Sequence, residues 1–312
     1  MEKISILGCG TMGHSIALSA AWAGQPVKVY GISETDLQTA AKGLGQKLQV
    51  MTDNELFSKE EAEAINGRIS LSTSLQEVVG DSTFIIEVIP EVLELKHKLY
   101  AQLEELVAED VIIASNTSGF KPSLLAEHLK HPNRFVVTHF WNPAHLIPLV
   151  EVVKGQHTDE STVERAMELL KVMNKKPILL NKELPGFIGN RLQYALFREA
   201  QALLDSGAAS KEDIDAAVTY SIGHRLPVTG PLMTADMGGL DVFSAISNYL
   251  FEDLSKADSS GEVLTGLVEE KKLGDKAGEG FYEWDEETSR EINAEREQTL
   301  VHFLKQDLEA GK

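Results

Sequence analysis

A chain of 312 residues is long enough for two domains, each burying its own core. With 43% hydrophobic and 25% charged residues it has the balance of a globular protein, not of a disordered or fibrous one. The net charge of −19, from 48 acids and 29 bases, argues against a nucleic-acid surface, which needs clustered Lys and Arg.

Residues 4–7 read as a short apolar strand, followed at once by Gly8-Cys9-Gly10-Thr11-Met12-Gly13 and a helix over 14–23 that ends at Gly24. A second strand is predicted at 27–30, helices at 35–51 and 59–66, and a strand at 68–70. Further apolar runs rich in β-formers fall at 84–88, 111–114, 135–139 and 149–153, with helical patterns such as 95–107 between several of them. Strands alternating with helices predict parallel βαβ units. After Lys182 the strand signals fade, and amphipathic helices are predicted at 187–205, 211–221, 233–254 and 262–271. The tail from 286 keeps helical spacing at Ile292, Leu300, Phe303 and Leu304 and predicts a final helix.

The expected fold class is therefore α/β. A Rossmann-type, doubly wound and mostly parallel sheet is expected over residues 1–183, followed by an all-α domain over 184–312. The single cysteine, Cys9, excludes an internal disulfide and gives no metal cluster. There is no leader-like run after Met1 and no stretch near the roughly 18 apolar residues of a membrane span. The expectation is a cytoplasmic protein with neither metal, membrane nor nucleic-acid partner.

Gly8, Gly10 and Gly13 form G-x-G-x-x-G between a predicted strand and a predicted helix, the context that makes this pattern a dinucleotide site. The first glycine permits the turn, the second admits a pyrophosphate and the third lets helix pack on strand. Thr11 and Met12 complete the loop, and the helix N-terminus favours the anion. One element is missing. Roughly 20 residues on, an acid should meet the ribose 2′-hydroxyl of NAD, but Gly31 stands there. Ser33 is the nearest side chain able to bond a hydroxyl or a phosphate. The expected cofactor is NAD, with NADP left open.

Three further segments come in order: Ala114-Ser115-Asn116-Thr117-Ser118; His139-Phe140-Trp141-Asn142-Pro143 with Glu151 beyond it; and Pro185-Gly186-Phe187-Ile188-Gly189-Asn190-Arg191. With the glycine loop, with Ile86-Glu87-Val88-Ile89-Pro90-Glu91 and with residues 272–282, they resemble the 3-hydroxyacyl-CoA dehydrogenase family. The resemblance implies an NAD-dependent oxidoreductase of fatty-acid metabolism and a homodimer formed through the helical domain. It makes His139 the general base, Glu151 its orienting partner, and Ser118 and Asn190 the holders of the substrate oxygen. Glu91, Lys96, Asn116 and Asn142 fall around the nicotinamide ribose and amide. The chemistry suits these residue types, because oxidising an alcohol requires a near-neutral base for the hydroxyl proton.

The small-molecule substrate is expected to be an acyl-CoA, the reading that residues 276–282 favour, or a free 3-hydroxy acid. The second reading resembles the carnitine and gulonate dehydrogenases and rests on Leu146-Ile147-Pro148-Leu149-Val150-Glu151 and Asn190-Arg191-Leu192-Gln193-Tyr194-Ala195. It also rests on Arg225, whose guanidinium can hold a carboxylate by two hydrogen bonds. Bases that could meet CoA phosphates are scattered at Lys42, Lys47, Lys59 and Arg68. A rival of another class is a non-catalytic nucleotide-binding homologue, in which the fold persists without the chemistry.

Overall fold

The computed structural model describes residues 2–311, which form two compact units. One contains the residues up to Ile188 together with those from Glu295 on; the other is Gly189–Ala294. In the first unit the order is β1 (Ile4–Leu7), α1 (Thr11–Trp22), β2 (Val27–Tyr30), α2 (Glu34–Asp53), α3 (Lys59–Asn66), β3 (Ile69–Ser72), α4 (Leu75–Val79) and β4 (Phe84–Glu87). Then come α5 (Leu93–Leu106), β5 (Ile112–Ser115), α6 (Pro122–Leu125), β6 (Phe135–Phe140), β7 (Leu149–Lys154), α7 (Glu160–Val172) and β8 (Lys176–Leu180).

The eight strands make one sheet in the order β3-β2-β1-β4-β5-β6-β7-β8. Every neighbouring pair is parallel except β6 and β7. Every residue of β1, β4, β5 and β6 is buried, as expected of strands covered by helices on both faces. Their alternating side chains feed two cores. Ile4, Ile6 and Ile86 pack with Ile16 and Leu18 of α1 on one face. Leu7, Ile85 and Ile113 pack with Leu99, Tyr100 and Leu103 of α5 on the other.

Helix α1 is unusual in being buried from Gly13 to Ala21, which its small residues permit. Two histidines lie in its surroundings. His14 meets the Cys9 carbonyl at 3.2 Å and Lys47 Nζ at 3.1 Å. His145 meets Ser15 Oγ at 2.8 Å, and burial lowers it to about 3, so it stays neutral at any physiological pH.

The second unit contains α8 (Gly189–Asp205), α9 (Lys211–Ala217), α10 (Gly223–Arg225), α11 (Pro231–Gly238), α12 (Leu240–Asp253) and α13 (Glu262–Glu269). Two helices expected to be continuous are not. The one predicted over 233–254 breaks at Gly239, whose φ of 92° no helix accommodates. The one predicted over 211–221 leaves the α-form after Ala217 and passes through a π-helical turn, Val218–Ile222.

The last helix, α14 (Glu286–Glu309), corrects the expected domain boundary. Residues from Glu295 on belong to the first unit, because Val301 and Leu304 are buried against Leu146 there. No described helix is long and apolar enough to cross a membrane.

Candidate active site

The glycine loop follows β1 and opens onto a cleft of about 600 Å³ lined by Gly8, Gly10, Thr11, Met12, Gly13, Gly31, Asp36, Glu91, Asn116 and Ser118, among others. The geometry fits a dinucleotide. A Cβ on Gly13 would lie 1.8 Å from the Gly8 carbonyl oxygen, so helix and strand pack here only without a side chain. A Cβ on Gly10 would meet nothing within 4 Å, which leaves that backbone open to a phosphate. Gly10 caps α1 with no side-chain bond, and the first turn carries no acid, so the helix's free N–H groups and dipole remain for an anion.

The two glycines therefore predict different defects. Gly13→Ala should lower stability by about 3 kcal/mol or more through a backbone clash. Gly10→Ala should leave the melting temperature almost unchanged yet weaken NADH binding about tenfold or more, by crowding the pyrophosphate. Thermal unfolding and NADH fluorescence titration of both variants check the pair.

The far wall is built by the ends of β4 and β5. Glu91 Oε1 accepts from the Ser118 N–H at 3.2 Å and from the Thr117 hydroxyl. Lys96 does not line the cleft. It is 1% exposed, 2.6 Å from Glu87 Oε1 and 3.3 Å from Glu91 Oε2. Glu87 is fully buried and also accepts from Tyr100 Oη at 2.5 Å, Ser115 Oγ at 2.7 Å and the Ile89 N–H at 2.8 Å. Burial, and then the Glu87 charge, push the Tyr100 phenol well above its ordinary range. Lys96 thus bears on the cleft only through Glu91. This carboxylate network escaped the sequence reading; its signal was one acid at the end of the apolar run Phe84-Ile85-Ile86.

The antiparallel turn-back of β6 onto β7 puts His139 directly opposite Glu151. His139 Nδ1 lies 2.9 Å from Glu151 Oε2. The fully buried carboxylate also accepts from Trp141 Nε1 at 3.3 Å and from the Ile188 N–H at 2.8 Å. All are donors, as an ionised carboxylate requires. With Nδ1–H given to Glu151, the neutral imidazole carries its lone pair on Nε2. The Trp141 and Phe187 rings flank His139, with centroids 5.8 Å and 5.4 Å away.

Phe187 holds a left-handed φ of 52° directly after Gly186 at 72°, a strain of about 1–2 kcal/mol. That bend delivers the Ile188 N–H to Glu151. Pro185-Gly186-Phe187-Ile188 therefore has a task in the first unit that the sequence reading, looking only to Asn190, did not find. The Phe140 N–H donates to Asn116 Oδ1 at 2.8 Å and ties the strand bearing His139 to the cleft wall.

The other expected residues stand elsewhere. Ser33 caps α2, accepting from the Asp36 N–H at 3.2 Å and donating to Asp36 Oδ2 at 2.7 Å, so its hydroxyl is committed locally. Asn142 is exposed after β6 and is not among the cleft residues. Asn190 is in the first turn of α8 and Arg225 ends α10, both in the second unit. Among the described residues Arg225 makes no ion pair.

A dinucleotide cleft at the carboxyl ends of a parallel sheet, beside a buried His–Glu pair, defines the class: a nicotinamide-dependent dehydrogenase. Residues 3–184 match the NAD-binding domain of 3-hydroxyacyl-CoA dehydrogenase, and residues 186–284 match its C-terminal domain. The chain belongs to the 3-hydroxyacyl-CoA dehydrogenase family and binds NAD.

Among its relatives is the 5-formyl-3-hydroxy-2-methylpyridine 4-carboxylate 5-dehydrogenase of Mesorhizobium japonicum, 32% identical over 96% of both chains. Another is the mitochondrial hydroxyacyl-coenzyme A dehydrogenase of Rattus norvegicus, 34% identical over 91% of both. A solved structure of a 5-formyl-3-hydroxy-2-methylpyridine 4-carboxylic acid 5-dehydrogenase, described as an NAD+-dependent dismutase, superposes with a TM-score of 0.92. It shares 31% identity and covers 100% of this chain and 99% of its own.

Proposed function

We propose that the chain oxidises a 3-hydroxyacyl substrate to its 3-oxo form, and the reverse, with His139 as the general base. The observation that carries this reading is the buried His139–Glu151 pair on a strand tied to the cofactor cleft by Phe140 and Asn116. NAD, when bound, supplies the hydride acceptor. His139 Nε2 takes the hydroxyl proton, and Glu151 keeps the ring in the competent tautomer and stabilises the imidazolium. Ser118 and Asn190 hold the substrate oxygen as charge develops on it, a role the motif resemblance supports. Glu91 and Asn116, which line the cleft, hold the nicotinamide ribose and amide, with Lys96 steadying Glu91; for Asn142 that role rests on the family resemblance alone. Gly8, Gly10, Thr11, Met12 and Gly13 take the pyrophosphate.

Membership of the family supports a 3-hydroxyacyl-CoA as the substrate. A second reading, a substrate with a free carboxylate, has specific support. Arg225 has no ion-pair partner among the described residues. Two of the scattered bases are engaged elsewhere, Lys47 against His14 and Arg68 on the Ala21 carbonyl at 3.2 Å. The relative that covers 96% of the chain is named for a pyridine carboxylate.

Initial rates of NADH oxidation with acetoacetyl-CoA and with free acetoacetate, repeated with Arg225→Ala, separate the two. The thioester reading expects a clear preference for acetoacetyl-CoA and indifference to Arg225→Ala. The carboxylate reading expects the opposite preference and a rise in KM of about tenfold or more on losing a bidentate partner. Activity with neither substrate, nor with a wider panel of hydroxy acids and aldehydes bearing a carboxylate, would overturn both.

We further propose a homodimer through the helical unit, where α11 and α12 leave Leu232 at 84%, Met237 at 75% and Tyr249 at 66% exposure. Light scattering at the mass of two chains is the expected result.

A further inference from the structure

The acid that ought to select NAD is missing from the end of β2, and the structure explains why. A Cβ at Gly31 would lie 2.5 Å from Leu37 Cδ2 and 2.7 Å from Cys9 Sγ. The φ of Gly31 is not in the left-handed region, so a side chain there is opposed by packing and not by conformation: Leu37 and Cys9 would both have to shift to admit it. The thiol of the glycine loop and the first buried leucine of α2 fill the place that an aspartate would occupy.

Five residues on, Asp36 lines the same cleft beside Gly31 and Ile32. We propose that Asp36, on the first turn of α2, takes the adenosine ribose hydroxyls of NAD in place of a β2 acid and turns away NADP.

Four observations carry this, given the NAD reading of the cleft on which it rests. First, the Asp36 carboxylate is positioned. Ser33, the helix cap, donates to Oδ2 at 2.7 Å, which fixes the carboxylate at the cleft rim and leaves Oδ1 to accept from a sugar hydroxyl. Second, that carboxylate faces the glycine loop closely enough that, after burial, its charge is the next cause pushing the Cys9 thiol up.

Third, the rim offers no cationic side chain to a 2′-phosphate. Among the described residues lining the cleft none is Lys or Arg. The N-terminus of α2 would otherwise attract an anion, but it already has its cap filled by Ser33 and two acids, Glu34 and Asp36, in its first turn. Fourth, Ile32 stands 82% exposed at this rim, an apolar side chain that a planar base would cover. A 2′-phosphate of nearly two negative charges would meet the Asp36 carboxylate without a counter-ion.

The test is a fluorescence titration of the whole chain with NADH and with NADPH, for wild type, Asp36→Asn and Asp36→Ala. Asp36→Asn keeps an oxygen for the Ser33 hydroxyl, and melting curves confirm that each variant is folded. The wild type is expected to bind NADH at least about tenfold more tightly than NADPH. Both variants are expected to lose about tenfold in NADH affinity, as for a hydrogen bond to a charged group, and to narrow the preference by at least as much.

NADH binding within twofold of wild type in both folded variants would overturn the assignment of Asp36 and leave the NAD cleft intact. Equal wild-type affinity for NADPH would do the same. Binding of neither nucleotide by wild type would overturn the cofactor reading along with it.

Discussion

His139→Gln is expected to lower kcat about a thousandfold, within the range for a lost general base, while leaving NADH affinity within about twofold. The split follows from the geometry. His139 lies at the end of β6 with Nδ1 on Glu151 and does not line the dinucleotide cleft. Glutamine is close in length, and its amide can still donate to Glu151, so the buried carboxylate keeps a partner. What disappears is a group able to take a proton near neutral pH. Stopped-flow NADH oxidation beside a fluorescence titration checks both halves. Equal loss of turnover and cofactor binding would mean that His139 is structural. Unchanged turnover would leave the chemistry with another group.

The second large effect falls on stability. Glu87→Ala is expected to destabilise the first unit by about 3–5 kcal/mol, because it strands a buried ammonium. Lys96 is 1% exposed, and its remaining partner would be Glu91, 3.3 Å away and 43% exposed. Tyr100, Ser115 and the Ile89 N–H would lose their shared acceptor at the same time. The melting temperature of that unit should fall by on the order of 10 °C.

Replacing both charges, in Glu87→Gln with Lys96→Met, should cost much less than the sum of the single changes, since a buried pair exchanged for uncharged groups is often near neutral. A strictly additive double variant would show that the two charges do not compensate each other.

Much of the first unit was legible because its central strands are buried on both faces and therefore read as continuous apolar runs. β8 was not, since Lys176 and Pro177 open it and it is only partly covered. The final helix was legible as a helix from Leu300, Phe303 and Leu304. Its docking on Leu146 was not, because periodicity shows which face is apolar and not what covers it. The π-helical turn before Arg225 has no signature in composition, being one extra residue per hydrogen-bonded ring in an otherwise helical pattern.

The site divides in the same way. His139 and Glu151 could be paired from sequence because two adjacent antiparallel strands suffice to join them. Asp36 could not be found by searching the end of β2, because its place on the cleft rim, beside a Gly31 crowded by Cys9 and Leu37, comes only from the fold. Ser33, expected to face the cofactor, instead spends its hydroxyl on Asp36, the ordinary work of a helix cap. Lys96 was placed among the cofactor residues by resemblance, and its burial against Glu87 came only from the fold.

Hydride transfer with His139 as the acid–base group is followed with NADH deuterated at nicotinamide C4. Each C4 epimer is incubated with the carbonyl substrate that gives activity, and the alcohol product is examined by mass spectrometry for wild type and His139→Gln. Wild type is expected to move one deuterium from one epimer onto the carbinol carbon, and the variant to form product about a thousandfold more slowly. Product without deuterium from either epimer, or equally rapid labelled product from His139→Gln, would contradict this chemistry.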